Sequence, residues 1–224
     1  MAAKVTGKTR CVIISGAPEF DAEFIKTAVK NSDYVICADS GLTAAEKAGV
    51  TPDLIVGDFD SYTDSVPNDC EVIRLSVDKD DTDTLHCVKV ALDRGFRDFA
   101  LLAATGGRLD HTLANLSILE FFGENGATGV ILSENETVCF ICKGEHRFDG
   151  NKGKTFSVLP FGCESVTLSY SGAKYPLVNG TLKHSVAMGI SNVFVEDKAA
   201  ITVHEGRALV IIDAGCRKPV SCFT

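Results

Sequence analysis

The chain has 224 residues, 45 % hydrophobic and 23 % charged, with a formal net charge of −8. That length holds one large domain or two small ones, and the composition is globular and excludes disorder. The acidic balance excludes a general attraction for nucleic acid or an anionic membrane, so any polyanion must be held locally by a few cations or a metal.

In chain order, polar Met1–Arg10 leads into Cys11–Ser15, an apolar run too short for a signal segment and read as a buried strand. Helices are predicted over Asp21–Lys30, Leu42–Ala48, Thr82–Arg94 and Leu109–Phe122. Strands are predicted over Tyr34–Ala38, Asp53–Asp58, Glu71–Ser76 and Phe99–Ala104. Uniformly apolar strands alternating with helices predict an α/β domain with a mostly parallel sheet covered on both faces. From about Thr128 the texture changes to short β-rich runs such as "TVCFIC", "SVTLSY" and "ALVIID", separated by turn residues. This half is expected to be an all-β sandwich-like domain. The boundary falls in the polar, glycine-rich Gly123–Gly129, giving 1–126 and 127–224.

No apolar run reaches the roughly 20 residues that span a bilayer. The nine cysteines are odd in number and sit mostly in apolar runs, as expected of reduced core residues in a cytoplasmic protein. Cys139 and Cys142 form a C-x-x-C, but on a strand they point to opposite faces and no second pair completes a zinc site.

Acids mark the ends of the predicted strands. Asp39 follows "VICA", Asp58 and Asp60 follow "LIVG", Asp80 and Asp83 lie in "KDDTDT" before a helix, and Arg108 and Asp110 follow "FALLAA". Ligands of an open parallel sheet bind outside the carboxyl ends of its strands, so these loops are expected to share one crevice. Capping of a helix start explains one or two of Asp80, Asp81 and Asp83. It does not explain the set, because carboxylates crowded together need a cation. Oxygen ligands without a His or Cys cluster point to Mg²⁺ as the cation for the set. Asp80 and Asp83, three apart, would share a helix face. Lys79 and Arg108, the basic residues of these motifs, suit a polyphosphate. There is no P-loop: "GNKGKT" (Gly150–Thr155) lacks the earlier glycine and reads as a turn.

These motifs resemble the thiamine pyrophosphokinase (thiamine diphosphokinase) family over nearly the whole chain. "ADSG" (Ala38–Gly41), with Ser40 in place of a glycine, "PDLIVGDFDS" (Pro52–Ser61), "KDDTDT" (Lys79–Thr84), "TGGRLDHTLAN" (Thr105–Asn115), "YPL" (Tyr175–Leu177) and "GISN" (Gly189–Asn192) carry the likeness. The resemblance implies transfer of the terminal diphosphate of ATP to thiamine, giving thiamine diphosphate and AMP, by a homodimer with its active site near the interface. It implies that Asp58, Asp60, Asp80 and Asp83 hold Mg²⁺ or orient the triphosphate. Asp39, Lys79, Arg108, Asp110 and His111 complete that site, and Ser191 and Asn192 contact thiamine. The tryptophan that some members carry near thiamine is absent, so another residue must cover the pyrimidine ring. A Mg²⁺-dependent nucleotide phosphohydrolase and a nucleotide-sensing domain are the competing readings. A hydrolase does not need a second-substrate half, and a sensor does not need the clustered acids.

Overall fold

The computed structural model describes residues 7–58, 70–76 and 80–214. The chain divides into two compact units, Met1–Ser133 and Glu134–Thr224.

In the first unit the strands are β1 (Arg10–Ile14), β2 (Asp33–Ala38), β3 (Leu54–Gly57), β4 (Glu71–Arg74), β5 (Asp98–Leu102) and β6 (Thr128–Leu132). The helices are α1 (Ala22–Ala28), α2 (Gly41–Ala48), α3 (Asp83–Asp93) and α4 (Leu109–Glu124). The strands lie in the order β6-β5-β1-β2-β3-β4, every pair parallel. Strands of alternating βα units are buried on both faces, which is why β2 is buried at every position. Val12, Ile14, Val35, Cys37, Ile55, Ala100 and Leu102 from the sheet pack with Phe24, Ile25, Leu42 and Ala45 from α1 and α2. Burying each large side chain of that set is worth about 1.5–3 kcal/mol.

The chain builds outward from β1 through β4, then returns to lay β5 and β6 on the other side of β1. The order therefore reverses between β1 and β5. In an open α/β sheet that reversal opens a crevice outside the carboxyl ends of the two strands.

The second unit has two antiparallel sets of strands. One runs β12 (Asn192–Val193), β9 (Thr155–Pro160), β14 (Ala208–Asp213), β7 (Glu136–Ile141). The other runs β11 (Gly180–Lys183), β10 (Ser165–Ser171), β13 (Ala200–Glu205), β8 (Gly144–Arg147). Alternation of buried and half-buried residues along β9 and β10 turns one face of each strand into a core. There Phe156 stacks on Phe194 at 4.1 Å between centroids and meets Tyr170 edge-on at 5.5 Å.

The division between the units falls at Ser133/Glu134, not at 126/127. The reason is β6, expected in the β-rich half: it pairs in parallel with β5 and closes the last βαβ unit of the sheet through α4. β8 and β11 carry no sequence signal, because both lie at the edges of their sheet and are largely exposed. The expected strand in "NVFVED" shrinks to Asn192–Val193 plus a bridge between Ala173 and Phe194. "GNKGKT" is a turn before β9, with Gly150 and Gly153 at φ 75° and 84°. Cys139 is buried on β7 while Cys142, just past its end, is exposed. Burial pushes the thiols of Cys11, Cys37 and Cys87 well above their ordinary range, so they behave as core residues.

Candidate active site

The carboxyl edge of the parallel sheet is assembled by close backbone approach. Asp39, directly after β2, adopts a left-handed conformation at φ 42° and donates its N–H to the Val56 carbonyl at 2.8 Å. Across from it stands Gly57, the last residue of β3. A Cβ there would lie 2.9 Å from the Cα of Asp39 and 3.1 Å from its Oδ1, so only glycine leaves that carboxylate its place. Gly41 is similarly constrained, since a Cβ would stand 2.0 Å from the Ile14 carbonyl oxygen. Ser40 lies at φ −60°, an angle any residue adopts, which explains why serine is accepted in that turn. Asp58 follows Gly57 directly and is half-buried.

The loop after β5 is locked onto the loop after β1. Ser15 and Ala17 donate their N–H groups to the carbonyls of Leu102 and Ala103 at 2.8 and 3.0 Å. Asn115, buried on α4, donates from Nδ2 to the Ala104 carbonyl at 2.8 Å. The buried Thr84 hydroxyl donates to that of Ser15 at 3.1 Å, tying the start of α3 to the end of β1. Ser15, Thr84 and Asn115 are the positioning residues that sequence reasoning missed. Their signal was a polar side chain recurring on an otherwise apolar, sheet-facing position.

At the start of α4, the guanidinium of Arg108 donates from Nη2 and Nε to the two carboxylate oxygens of Asp110 at 2.6 and 3.1 Å. Asp110 also accepts the His111 N–H at 3.0 Å. These bonds and the Arg108 charge draw the Asp110 carboxyl down to about 2, so it is ionised at neutral pH. Arg108, Asp110 and His111 are all exposed. The fork to Asp110 leaves the other guanidinium N–H groups of Arg108 for a ligand.

The opening of α3 departs from the expectation. Its cap is Thr82, whose hydroxyl accepts the Leu85 N–H at 3.2 Å, and no aspartate serves there. Asp83 is the first helical residue, so Asp80 precedes the helix and shares no helix face with it. Asp81 folds back to an ion pair with Lys89 at 2.5 Å. Asp80 is exposed and, with Thr82, Leu85, Ala114, Ile118 and Phe121, lines a cleft of about 470 Å³ beside α3 and α4. Asp60 and Lys79 lie outside the described residues. Among the described residues no three His, Cys, Asp or Glu side chains are gathered into a metal-holding group.

In the second unit the two sequence motifs meet. The Asn192 side chain accepts the Tyr175 N–H at 3.0 Å and the Val193 N–H at 2.8 Å on Oδ1, and donates from Nδ2 to the Tyr175 carbonyl at 2.8 Å. It is only 6 % exposed. Asn192, expected to bond thiamine, is therefore committed to the backbone of the "YPL" segment. Ser191 is exposed, sits at φ 61° and donates its N–H to the Ser157 hydroxyl at 3.1 Å.

An open parallel sheet with Asp39, Asp58 and the exposed Arg108 in the loops after its strands has the form of an α/β domain that takes its ligand at the carboxyl edge. The model of the thiamin pyrophosphokinase catalytic domain matches residues 25–131, and that of the thiamin pyrophosphokinase vitamin B1 binding domain matches 143–210. The chain belongs to the thiamine pyrophosphokinase family. It is 25 % identical over 205 residues to a thiamine pyrophosphokinase of Bacillus subtilis, covering 89 % of this chain and 96 % of that one. It is likewise 25 % identical over 195 residues to thiamin pyrophosphokinase 1 of Caenorhabditis elegans, covering 81 % and 80 %. The crystal structure of a Bacillus subtilis thiamine pyrophosphokinase shares the fold with a TM-score of 0.81 at 23 % identity, over 92 % of this chain and 99 % of that one. Membership carries the family's reaction, ATP-dependent transfer of diphosphate to thiamine, and with it the class of enzyme; the phosphohydrolase alternative has no support in these likenesses.

Proposed function

We propose that this chain makes thiamine diphosphate and AMP with the carboxyl edge of the first unit holding the triphosphate and the Tyr175–Asn192 corner of the second holding thiamine. The observation that carries the assignment is the built approach of Gly57 to the left-handed Asp39. A backbone conformation that L-residues seldom adopt is kept where it fixes a carboxylate at the mouth of the crevice.

In the reaction a bond forms between the thiamine hydroxyl oxygen and the β-phosphorus, and the bond from that phosphorus to the oxygen of departing AMP breaks. Arg108, oriented by Asp110, holds phosphate oxygens with its remaining N–H groups, and Lys79 adds a second positive charge. The alcohol proton passes to a carboxylate of the edge or to His111. Asp58, Asp60, Asp80 and Asp83 are the proposed magnesium ligands. Their all-oxygen chemistry fits an ion that takes one or two carboxylates and completes its shell with phosphate and water. When bound, the ion offsets charge developing on the phosphate oxygens.

A homodimer with its active site near the subunit interface belongs to the same proposal. So does a cytoplasmic location, supported by the described cysteines being free thiols. Among the described residues no helix is long and apolar enough to cross a membrane.

The test is product analysis. With ATP, Mg²⁺ and thiamine the purified chain should release AMP, not ADP, and only when thiamine is present. AMP or ADP release at equal rate without thiamine would make it a hydrolase.

A further inference from the structure

The amino edge of the parallel sheet, where its strands begin, carries a depression of its own. Lys8 ahead of β1, Lys26, Val29 and Lys30 at the end of α1, Asp33 at the start of β2 and residues 49–53 leading into β3 enclose a cleft of about 780 Å³. That volume falls within the roughly 300–1,000 Å³ of small-molecule sites. It lies at the opposite edge of the sheet from Asp39, Asp58 and Arg108.

The two carboxylates of the cleft are already spent. Asp53 accepts the Lys8 ammonium on both oxygens at 2.6 and 2.7 Å, and the Val35 N–H at 2.8 Å. Buried Asp33 accepts the Arg10 guanidinium at 2.5 and 3.1 Å, and the Lys30 N–H at 2.8 Å. Each carboxylate thus has a cation of its own, and the ammonium groups of Lys26 and Lys30 are left over. Both are exposed, and neither forms a hydrogen bond or ion pair among the described residues. Asp98, which opens β5 on the same edge, is no pair for Lys30. Burial raises its titration, and Arg10 acts on it more strongly than Lys30 does.

A lysine at the end of a helix ordinarily offsets the negative end of the dipole. Here α1 has only seven residues, and its last carbonyl, that of Ala28, already accepts from Arg10 Nη2 at 2.9 Å. Two further ammonium groups exceed what that end requires. Beside them stands an apolar wall, in which Val35 and Pro52 are buried and Val29 and Val50 half-buried. Exposed Asn31 and Thr51 add side-chain donors that bond nothing else among the described residues. In a chain of net charge −8, a local excess of cations is the form an anion site takes. A phosphate monoester carries about −1.5 to −2 charge at pH 7, which matches two unpaired ammonium groups better than a single carboxylate does.

We propose that this cleft is a second, non-catalytic site for a small organic phosphate, with Lys26 and Lys30 on the phosphate group and Val29, Val50 and Pro52 against the organic body. No residue of the carboxyl edge takes part, so the site stands whether or not the catalytic assignment does.

The test uses the full chain in metal-free buffer, with AMP as the probe and backbone amide NMR as the readout, which resolves the two edges of the sheet. AMP should move the amides of Lys26, Lys30, Asn31 and Thr51 along a saturable curve. Two exposed charge pairs bind weakly, so Kd should be on the order of 1 mM and should rise with added salt. Lys26→Gln with Lys30→Gln should weaken that binding about tenfold. The same variant should keep any movement around Arg108, the turnover and the KM values for ATP and thiamine. Lys26→Arg with Lys30→Arg, which keeps both charges, should bind as the parent does. Inorganic phosphate should move the same amides at higher concentration than AMP, because it leaves the valine and proline wall uncovered. No saturable movement with either probe would overturn the site, as would movement that the glutamine variant keeps or the arginine variant loses. Inorganic phosphate binding as tightly as AMP would overturn the organic body and leave an anion hole alone.

Discussion

Replacing Gly57 by alanine puts a methyl group where the structure has room for none. The new Cβ would lie 2.9 Å from the Asp39 Cα and 3.1 Å from its Cβ and Oδ1. The first of these neighbours is backbone, so relief requires the β2–α2 turn to move rather than a side chain to swing. Overpacking of this kind costs about 1–3 kcal/mol. At 2–4 °C per kcal/mol for a chain of this size, the melting temperature should fall by roughly 2–12 °C. A displacement of a catalytic group on the order of 1 Å costs about a hundredfold in rate, so turnover measured well below that melting temperature should fall by about that factor. Gly49→Ala is the companion variant. Gly49 also needs a left-handed backbone, at φ 66°, yet a Cβ there meets nothing within 4 Å. It should lose about 1–2 kcal/mol of stability through backbone strain and keep parental turnover. Thermal melts and AMP release on the two proteins separate stability from placement. If Gly57→Ala turns over like the parent while folded, Asp39 is not held for catalysis and the built approach has no functional meaning.

Asp80→Asn should leave the melting temperature within a degree or so, because Thr82 and not Asp80 caps α3, while turnover at limiting Mg²⁺ falls by orders of magnitude. Thr82→Ala should reverse that pattern in stability, costing about 1 kcal/mol in urea unfolding. Tyr170→Phe should be neutral or stabilising in the same experiment. The Tyr170 hydroxyl is buried with no hydrogen-bond partner among the described residues, and burial alone pushes its titration up to about 12. Asp110 should titrate by carboxyl ¹³C NMR at about 2, below the ordinary value of about 3.9. A carboxyl depressed in the folded chain favours folding above its unfolded pKa, and the preference is lost as pH falls through about 2. A midpoint near the ordinary value would mean that the pair with Arg108 does not persist in solution.

The parallel sheet was legible because a strand buried on both faces is apolar at every position and is followed by a helix with its own period. β2, buried throughout and apolar from Tyr34 to Ala38, is such a segment. Legibility ended where that rule ends. β8 "GEHR" and β11 "GTLK" are edge strands held by backbone pairing, and an exposed edge asks nothing of its side chains. β6 was placed in the wrong half because five apolar-leaning residues look alike in a parallel and an antiparallel setting. What decides is α4 before it, since a strand–helix–strand crossover returns to a parallel neighbour.

The site divides along a similar line. Acids after strands announce a carboxyl edge by residue type alone, and Asp39, Asp58 and Asp83 do stand at strand ends or at a helix start. What an acid or amide touches depends on geometry that residue type does not carry. In "KDDTDT" the threonine, weaker as a cap on paper than its neighbours, takes the cap, and Asp81 leaves for Lys89. In "GISN" the resemblance implies that the asparagine contacts thiamine, and the structure shows what its amide bonds within the chain. An amide 6 % exposed with three bonds to its own chain has spent both acceptor positions on Oδ1 and one donor hydrogen before any ligand arrives. What it holds is the backbone of the segment that carries the exposed Tyr175 ring.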